Sequence, residues 1–240
     1  MPLQRSEVVD AALTLLDDIG LDALSTRRLA TELGVRPGAL YWHVKNKQDL
    51  LDALAEKILG ELSPPADGGD WRETVRAMAV NLRQVLLAHR DAARLVAGSA
   101  WLGPNRLGFA DGLMGVLRGT GAPIAAVAYG CDTVLSYVTG FALQEQGESD
   151  TPTGEDSVRR KPAREESAGQ EPAPSEPASP AGVATVASGP ASQAPDFGPF
   201  PHLGAWVAEW NSGVRQDTFT AGLEILIGGL DRYLTARTGH

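Results

Sequence analysis

Residues 25–47 read STRRLATELGVRPGALYWHVKNK and show the pattern of two short helices joined by a tight turn. Ser25 is a residue type that caps helix N-termini, and Pro37 suits the first turn of the helix that follows. Between them, Gly34 permits the positive φ of a sharp turn, and the small Ala30 lets the two helices cross closely. The segment therefore predicts a helix-turn-helix, in which the second helix enters the major groove of DNA.

The charge distribution favours a nucleic-acid role for this segment. The whole chain is acidic, with 21 Lys and Arg residues against 30 Asp and Glu residues, which disfavours a protein that coats DNA or membranes non-specifically. Residues 27–47 reverse the balance, because they hold five basic side chains and the single acid Glu32, a local net charge of +4. A sequence-specific DNA binder concentrates positive charge in this way. Composition alone leaves a second interpretation open, a solvated charged face between packed helices.

Outside this segment, apolar residues recur at helical spacing along most of the chain. Leu50, Leu54 and Ile58, for example, mark one face of a helix that begins at Lys47. No alternating strand pattern of useful length is present, so the predicted fold is all-α. Helices are predicted at residues 8–19, 26–33, 37–43, 47–62, 70–89, 91–98, 105–119, 123–146, 202–212 and 216–237.

Residues 147–200 have a different composition from the rest of the chain. They hold nine of the 16 prolines, four basic against nine acidic side chains, and no aromatic residue before Phe197. Such a segment cannot bury enough apolar surface to offset the entropy of ordering it. We expect a disordered insert that serves as a passive surface loop, with a regulatory or gating role as the alternative.

The sequence also indicates what the protein is not. The single cysteine, Cys131, excludes an intrachain disulfide and a cysteine-based zinc cluster, and we expect it to be a small buried residue. The four histidines show no HExxH spacing, and no GxSxG, P-loop or GxGxxG motif occurs, so we expect no enzyme activity, no cofactor and no metal. Neither a signal-peptide pattern nor a run of about 18 apolar residues occurs, which predicts a cytoplasmic protein without a membrane anchor.

The segment LYWHVKNKQDLLDALAEKIL, residues 40–59, closely resembles the tetracycline-repressor (TetR) family. The resemblance extends from about Ser6 to Leu62 and resumes at WRETVRAMAVNLRQVLLAHRD (71–91) and FTAGLEILIGGLDRYL (219–234). The C-terminal stretches are similar to the subgroup that contains the tetracycline repressor itself. Members of this family are dimeric transcriptional repressors that a ligand releases from DNA.

The resemblance implies three parts and a regulatory function. The parts are a three-helix helix-turn-helix DNA-binding domain at residues 1–46, a connecting helix at 47–64, and a helical ligand-binding and dimerisation domain at 65–240 that contains the insert. The expected function is that of a homodimer that binds a palindromic double-stranded DNA operator and is released by a small-molecule inducer, with no membrane partner. The alternative is an activator, or a regulator that responds to a protein partner.

The DNA contacts carry over from the family position by position. The resemblance implies that Lys47 contacts phosphate where a helix begins. The start of the recognition helix differs from that of the tetracycline repressor, so we expect a different operator. Arg36 is the best candidate there for a base contact, because arginine reads guanine bidentately, with a phosphate contact as the alternative. Leu40 and Trp42 are predicted to pack the domain instead. The predicted DNA-binding set is Thr26, Arg27, Arg28, Arg36, Pro37, Gly38, Ala39, Tyr41, His43 and Lys47.

The tetracycline pocket of the family is not preserved in this sequence. Val96 aligns with the magnesium-binding histidine of the tetracycline repressor, and Ser63, Met78 and Gln144 replace polar groups near the drug. We therefore expect a different inducer, flat and largely hydrophobic, and no required metal. A stripe of such residues is more often plain core, and that interpretation stays open. The predicted lining is Met78, Leu82, Val96, Trp101, Phe109, Leu113, Met114, Val134, Tyr137 and Phe141.

The last predicted helix carries an apolar stripe suited to dimerisation. Small residues on this helix and on the helix that begins near Pro123 permit close approach, so we expect two helices from each subunit to form a four-helix interface. Packing within one subunit is the alternative. The predicted dimer residues are Phe219, Leu223, Leu226, Ile227 and Leu230.

Overall fold

The computed structural model describes residues 3–65, 68–99, 102–149, 199, 201–211 and 218–238. These residues form helices joined by turns and contain no strand, so the all-α prediction is confirmed. The helices in chain order are α1 (Arg5–Ile19), α2 (Thr26–Glu32), α3 (Pro37–Leu40), α4 (Lys47–Leu59), α5 (Trp71–Ala88), α6 (Ala92–Gly98), α7 (Pro104–Arg118), α8 (Ile124–Ser149), α9 (Pro201–Asn211) and α10 (Thr218–Thr235).

Predicted and observed helices differ mainly at their ends. Helix α3 stops at Leu40, and residues 41–43 form a turn rather than the end of the recognition helix. Helix α4 stops at Leu59 instead of reaching residue 62. Helix α8 continues to Ser149, so the first residues of the predicted insert are helical. The rest of the predicted insert at 147–200, apart from residue 199, lies outside the described residues.

The first three helices form the head around a small apolar core. Ser25 caps α2, because its hydroxyl accepts a hydrogen bond from the backbone N–H of Arg28 at 3.2 Å. Gly34 turns the chain with a φ of +65°, in the left-handed region that favours glycine. Leu29 and Leu40 are fully buried, and α2 packs against both α3 and α1.

Helix α4 joins the head to the helices that follow. Its N-terminus is capped by Asn46, whose side-chain oxygen accepts from the backbone N–H of Asp49 at 2.8 Å. It packs against α1 on the head and against α5, α6 and α7 beyond it. An ion pair of 2.6 Å between Lys57 and Asp10 adds a polar link between α4 and α1. Any tilt of α4 therefore moves surfaces on both sides of it.

We call the helices that follow α4 the body. Its core comes from helices α5, α7, α8 and α10. The hydroxyl of Tyr137 on α8 donates a hydrogen bond to the backbone carbonyl of Phe219 on α10 at 2.8 Å. A Cβ atom at Gly222 would lie 2.2 Å from the same hydroxyl oxygen, so this approach of the two helices requires glycine there. Cys131 is buried on α8, as predicted, and burial raises the pKa of its thiol to about 11.

The corner between α5 and α6 is fixed by the side chain of Gln146, near the end of α8. Its amide nitrogen donates to the carbonyls of Leu86 and His89, each at 2.7 Å. Its amide oxygen accepts from the backbone N–H of Ala93 at 3.0 Å. One side chain therefore satisfies backbone groups from both helices at their junction.

The chain divides into two compact units, Met1–Gln146 with Gln216–His240, and Gly147–Arg215. The second unit contains α9 as its described helix. In α8, residues Ile124–Gly147 are long and apolar enough to cross a membrane by length and composition alone, and 33% of the apolar window is buried. This contrasts with the prediction from apolar runs, but it is weak support for a membrane span because core and interface helices of other proteins meet the same criterion.

Candidate DNA-binding surface and ligand-binding body

The predicted DNA contacts all lie at the surface of the head. They come from α2, from α3 with the turn after it, and from the first residue of α4, so one continuous stretch of chain supplies them. Three of them are half-buried, namely Thr26, Ala39 and His43. The others are exposed, namely Arg27, Arg28, Arg36, Pro37, Gly38, Tyr41 and Lys47.

The two residues predicted to pack the head behave differently from each other. Leu40 is 1% exposed, so its predicted packing role is confirmed. Trp42 is 90% exposed, so the prediction that it packs the domain is wrong. The reason is the turn at 41–43, which begins as soon as Leu40 has entered the core and directs the indole outward. Trp42 is therefore a surface residue beside Tyr41, which is also exposed, and the sequence analysis did not include it among the DNA contacts.

The basic side chains of this surface form no close ion pair with the part of the chain that the structure describes. No ion pair between described residues involves Arg27, Arg28, Arg36, Lys45 or Lys47. The only acidic residue in this stretch, Glu32, forms none either. Exposed cations without a carboxylate partner keep their full charge for an external anion such as phosphate.

A set of polar contacts behind this surface sets the position of the turn after α3. Arg5 of α1 forms an ion pair with Asp49 of α4 at 2.8 Å and donates to the carbonyl of His43. Asp49 also accepts from the backbone N–H of Lys45 at 2.8 Å. The hydrogen bond from Arg5, opposed by burial and aided by that of Lys45, holds the pKa of Asp49 below its ordinary value. The carboxylate therefore stays charged and fixes the turn that carries Tyr41 and Trp42.

A second polar cluster joins the head to the corner between α5 and α6. The imidazole of His89 lies 3.0 Å from Asp17 on α1 through Nδ1 and 3.2 Å from Glu61 after α4 through Nε2. Burial alone would lower the pKa of His89. The hydrogen bonds with Asp17 and Glu61 outweigh this effect, so the pKa is raised above its ordinary value.

Residues next to His89 strengthen the same junction. The backbone N–H of Arg90 donates to Asp17 at 3.0 Å, and Arg94 forms an ion pair with Asp22 at 2.7 Å. The carboxylate of Asp91, which has a left-handed φ of +58°, accepts from the backbone N–H of Leu21 at 2.7 Å. We call residues 89–94 with their partners at 17–22 the head–body clamp. Its members lie about 70 residues apart in sequence, which is too far for helical periodicity to predict their pairing.

Helix α4 is held to the start of α7 by a third set of bonds. Asn105 donates to Glu56 twice, from its backbone N–H to the carboxylate at 2.5 Å and from its side-chain amide to the backbone carbonyl at 3.0 Å. Ser99, after α6, donates to Asp52 at 2.8 Å. The chain that links α6 to α7 therefore contacts α4 directly.

The predicted ligand-lining residues lie in the body but are mostly packed. Met78, Leu82, Val96, Leu113 and Val134 are buried in the core, as the core interpretation holds. Phe109, Met114, Tyr137 and Phe141 are half-buried against it. Trp101 lies outside the described residues. Of this set, Phe109 lines a cavity of about 220 Å³, formed by the end of α4, residues 62–65 and the start of α7.

An aromatic cluster connects the predicted ligand set with the predicted dimer set. The ring of Phe219 lies 5.6 Å from that of Tyr137 and 5.3 Å from that of Phe141, measured between centroids. The guanidinium of Arg83 lies 4.7 Å from the Phe219 ring centroid, a cation–π distance. This cluster belongs to the core of a single chain.

The predicted dimer stripe is therefore largely internal. Phe219, Leu223, Ile227 and Leu230 are buried within the chain, and Leu226 is half-buried. The stripe faces inward because α10 uses it to pack on α5 and α8, as the one-subunit alternative holds for these side chains. Among the described residues of α8 and α10, the large apolar side chains that are exposed are Ile225 of α10, at 76%, and Ile124, Tyr129 and Leu143 of α8.

A larger cavity, about 640 Å³, opens between α1 and α4. Most of its lining residues are polar or charged, and its carboxylates already have partners, such as Arg5 for Asp49 and Lys57 for Asp10. It does not have the apolar lining expected for a hydrophobic inducer. Among the described residues, no group of three or more His, Cys, Asp and Glu side chains is placed to hold a metal ion.

Comparison with known proteins assigns both parts of the chain. The family described as bacterial regulatory proteins, tetR family, matches residues 8–54, and the tetracyclin repressor-like C-terminal domain matches residues 63–234. The tetracycline repressor protein class C of Escherichia coli is 41% identical over 175 residues, which cover 69% of this chain and 80% of the relative.

Solved structures extend the similarity to the fold. The Streptomyces coelicolor TetR family protein ActR, in complex with actinorhodin, is 32% identical with a TM-score of 0.71 and covers 95% of each chain. BioQ, in complex with its double-stranded DNA operator, is 41% identical with a TM-score of 0.57 and covers 60% of this chain and 88% of its own. From its helix-turn-helix, its all-α fold and these matches, we conclude that the chain belongs to the TetR family of transcriptional regulators.

Proposed function

We propose that this chain is a homodimeric repressor that binds a palindromic operator and leaves it when a small hydrophobic molecule binds the body. The observation that carries this proposal is the surface of residues 25–47, where exposed cations form no ion pair with other described residues and two aromatic side chains point outward. BioQ, a relative with the same kind of head, is described with its DNA operator.

The DNA contacts divide by chemistry. Arg36 and Tyr41, at the two ends of α3, are assigned to base edges, and Lys47, with the N-terminus of α4, to phosphate. The other predicted contacts, Thr26, Arg27, Arg28, Pro37, Gly38, Ala39 and His43, complete the surface. Trp42 joins this set because its indole is exposed next to Tyr41.

We propose the same domain boundaries as the sequence predicts, with a head at 1–46, a connecting helix at 47–64 and a body at 65–240. For the dimer we propose a revised surface, which consists of the exposed apolar side chains of α8 and α10 together with half-buried Gly228 and Gly229. The apolar character of α8 is then explained by a partner helix rather than a membrane. Two heads joined in this way reach half-sites about 34 Å apart.

Release requires that ligand binding changes the separation of the two heads. We propose that α4 transmits the change, because Asn105 and Ser99 hold it to the body while Lys57 and the Arg5–Asp49 pair hold it to the head. A ligand that binds the open form of the body better than the DNA-binding form lowers operator affinity by its differential affinity for the two forms.

The inducer we propose is apolar and differs from the tetracycline–magnesium chelate. Val96, in place of the metal-binding histidine, is buried among apolar neighbours and offers no ligand to a metal. ActR, which is described with actinorhodin bound, supports an extended aromatic molecule as the class to test first. The family assignment supports a cytoplasmic regulator that has no catalytic role.

The test begins with full-length protein and a pool of random-sequence duplexes. We expect selection of a palindrome that is bound with a Kd of roughly 10⁻⁸ to 10⁻¹¹ M at physiological salt. Apolar aromatic compounds should release it, whereas tetracycline with Mg²⁺ should not. Selection of no common sequence would overturn the proposal. Increased transcription from a promoter beside the selected site, or release only by a protein, would favour the activator or protein-partner alternative.

A further inference from the structure

The recognition segment 36–41 offers an uneven set of groups to a base pair. Arg36 and Tyr41 stand at its ends and carry hydrogen-bonding side chains. Residues 37–39 carry none, and Leu40 is buried in the head. Side-chain hydrogen bonds to base edges are therefore restricted to the two ends of the segment, and its middle offers only apolar surface.

Gly38 is not required by the fold. Its φ lies outside the positive region in which glycine is favoured. A Cβ atom built on it meets no heavy atom within 4 Å. Since alanine is more favourable than glycine within a helix, the free protein gains nothing from glycine at this position. The missing side chain does, however, let a base pair approach the backbone closely.

Arg36 is available to that base pair. Its guanidinium is exposed, it forms no ion pair with another described residue, and its side chain makes no capping bond to α3. The neighbouring Pro37 has no backbone N–H, so the first turn of α3 presents little else that can donate. The segment therefore offers one guanidinium group with several N–H donors beside a small apolar patch.

This inference rests on the proposed operator binding. We infer that each half-site presents a guanine to Arg36 and, beside it, a thymine whose 5-methyl group packs on Gly38 and Ala39. Arginine matches the O6 and N7 acceptors of guanine, and thymine alone places a methyl group in the major groove. Specificity at the centre of the half-site therefore comes from shape and one methyl group rather than from a second hydrogen-bonded base.

Base analogues in the selected operator test both contacts with the full-length protein. Deoxyuridine, which lacks the methyl group, is placed at each thymine in turn, and 7-deazaguanine, which lacks N7, at each guanine. We expect one thymine per half-site at which deoxyuridine weakens binding about fourfold, the effect of one methyl group. We expect one adjacent guanine at which 7-deazaguanine weakens binding roughly 10- to 100-fold, the effect of one hydrogen bond from a charged group.

Variants then assign each contact to its residue. Arg36→Ala should weaken binding and remove the sensitivity to 7-deazaguanine at that guanine. Lys47→Ala, the matched loss of one positive charge, should weaken binding to the natural and the substituted operator equally. Gly38→Ala should weaken binding to the thymine operator more than to the deoxyuridine operator. Gly115→Ala, a helical glycine in α7 whose Cβ also meets no atom within 4 Å, should leave binding unchanged.

The outcomes separate this inference from the proposed function. An operator whose binding is insensitive to every deoxyuridine, or an Arg36→Ala variant that keeps full sensitivity to 7-deazaguanine, overturns the inference while operator binding stands. Selection of no operator at all defeats the proposed function itself. Circular dichroism melting of each variant, unchanged from the wild type, excludes misfolding as the cause of a lost contact.

Discussion

Basic side chains on the recognition surface of the head and in the body differ in whether they form ion pairs. In the body, Arg72 pairs with Asp231 at 2.5 Å and Arg76 pairs with Glu224 at 2.6 Å. In the recognition surface, Arg28 and the other basic side chains have no carboxylate partner among the described residues. These cations of the body are paired within the fold, whereas the cations of the recognition surface are left for an external partner.

The two regions also differ in where aromatic side chains lie. Phe219 is enclosed in the body between two other aromatic rings, while Trp42 stands almost fully in water on the head. An enclosed ring contributes to stability, and an exposed ring contributes to binding. Substitutions in the body should therefore change the free energy of unfolding, and substitutions in the head should change DNA affinity.

The largest effect is expected from Phe219→Ala. Removing this buried ring leaves a cavity between α5, α8 and α10, and should lower the free energy of unfolding by about 3–5 kcal/mol. Urea denaturation measures the loss. The control is Leu107→Ala, at an exposed position of α7, which should change stability little. A loss below about 1 kcal/mol for Phe219→Ala would contradict the enclosed position of the ring.

The next largest effect is on the salt dependence of DNA affinity, with little change in the free energy of unfolding. The double variant Arg28→Ala with Lys47→Ala should reduce the slope of log affinity against log salt concentration by about 2, since each phosphate contact contributes about 0.9. The free energy of unfolding should change by less than about 0.5 kcal/mol, because both side chains are exposed and neither forms an ion pair with another described residue. An unchanged slope would show that these cations do not meet phosphate.

The head–body clamp should make the free energy of unfolding depend on pH, an effect not expected from the recognition surface or from the aromatic cluster of the body. The pKa of His89 is raised above its ordinary value of 6.5 in the folded protein, so the folded state holds the proton more tightly. The resulting stabilisation is complete below the ordinary pKa and is lost as the pH rises through the folded pKa. Between pH 6 and pH 8, the wild type should therefore lose more stability than His89→Gln. Parallel pH profiles for the two proteins would contradict this assignment.

The smallest effect is expected where the head meets α4. Lys57→Gln breaks the ion pair with Asp10, which is largely exposed, so stability should fall by at most about 1 kcal/mol. The difference between variant and wild type should shrink as NaCl rises from 0.05 to 0.5 M, because salt screens exposed charges. A difference that persists at high salt would mean that the contact does more than join two charges.

The sequence predicts the helices well because each buries one face at a regular spacing. This is why the predicted helices of residues 8–19 and 70–89 agree with α1 and α5 to within a few residues. The sequence predicts less well whether the apolar face of a helix packs within the chain or against a partner. The pattern of α10 identifies Phe219 and Leu223 as apolar, but the same stripe serves a core or an interface, and the observed packing decides for the core.

Two kinds of feature are inaccessible to such a pattern. The exposure of Trp42 depends on where α3 ends, and that end is fixed by contacts such as the bond from Arg5 to the carbonyl of His43, 38 residues away in sequence, rather than by periodicity. The clamp at His89 depends on pairs that are distant in sequence, such as the one with Asp17, and single-sequence patterns carry no information on those pairs. Both features are settled by tertiary contacts.

The three backbone bonds made by Gln146 have a consequence for how this lineage can vary. They tie the corner of α5 and α6 to the last residue before the chain enters a segment of very different composition. Additions, deletions and drift that begin after Gln146 therefore leave the corner and its clamp intact. The position is a natural boundary for evolutionary length change, and equally a site at which a reporter sequence can be grafted without altering the corner of α5 and α6.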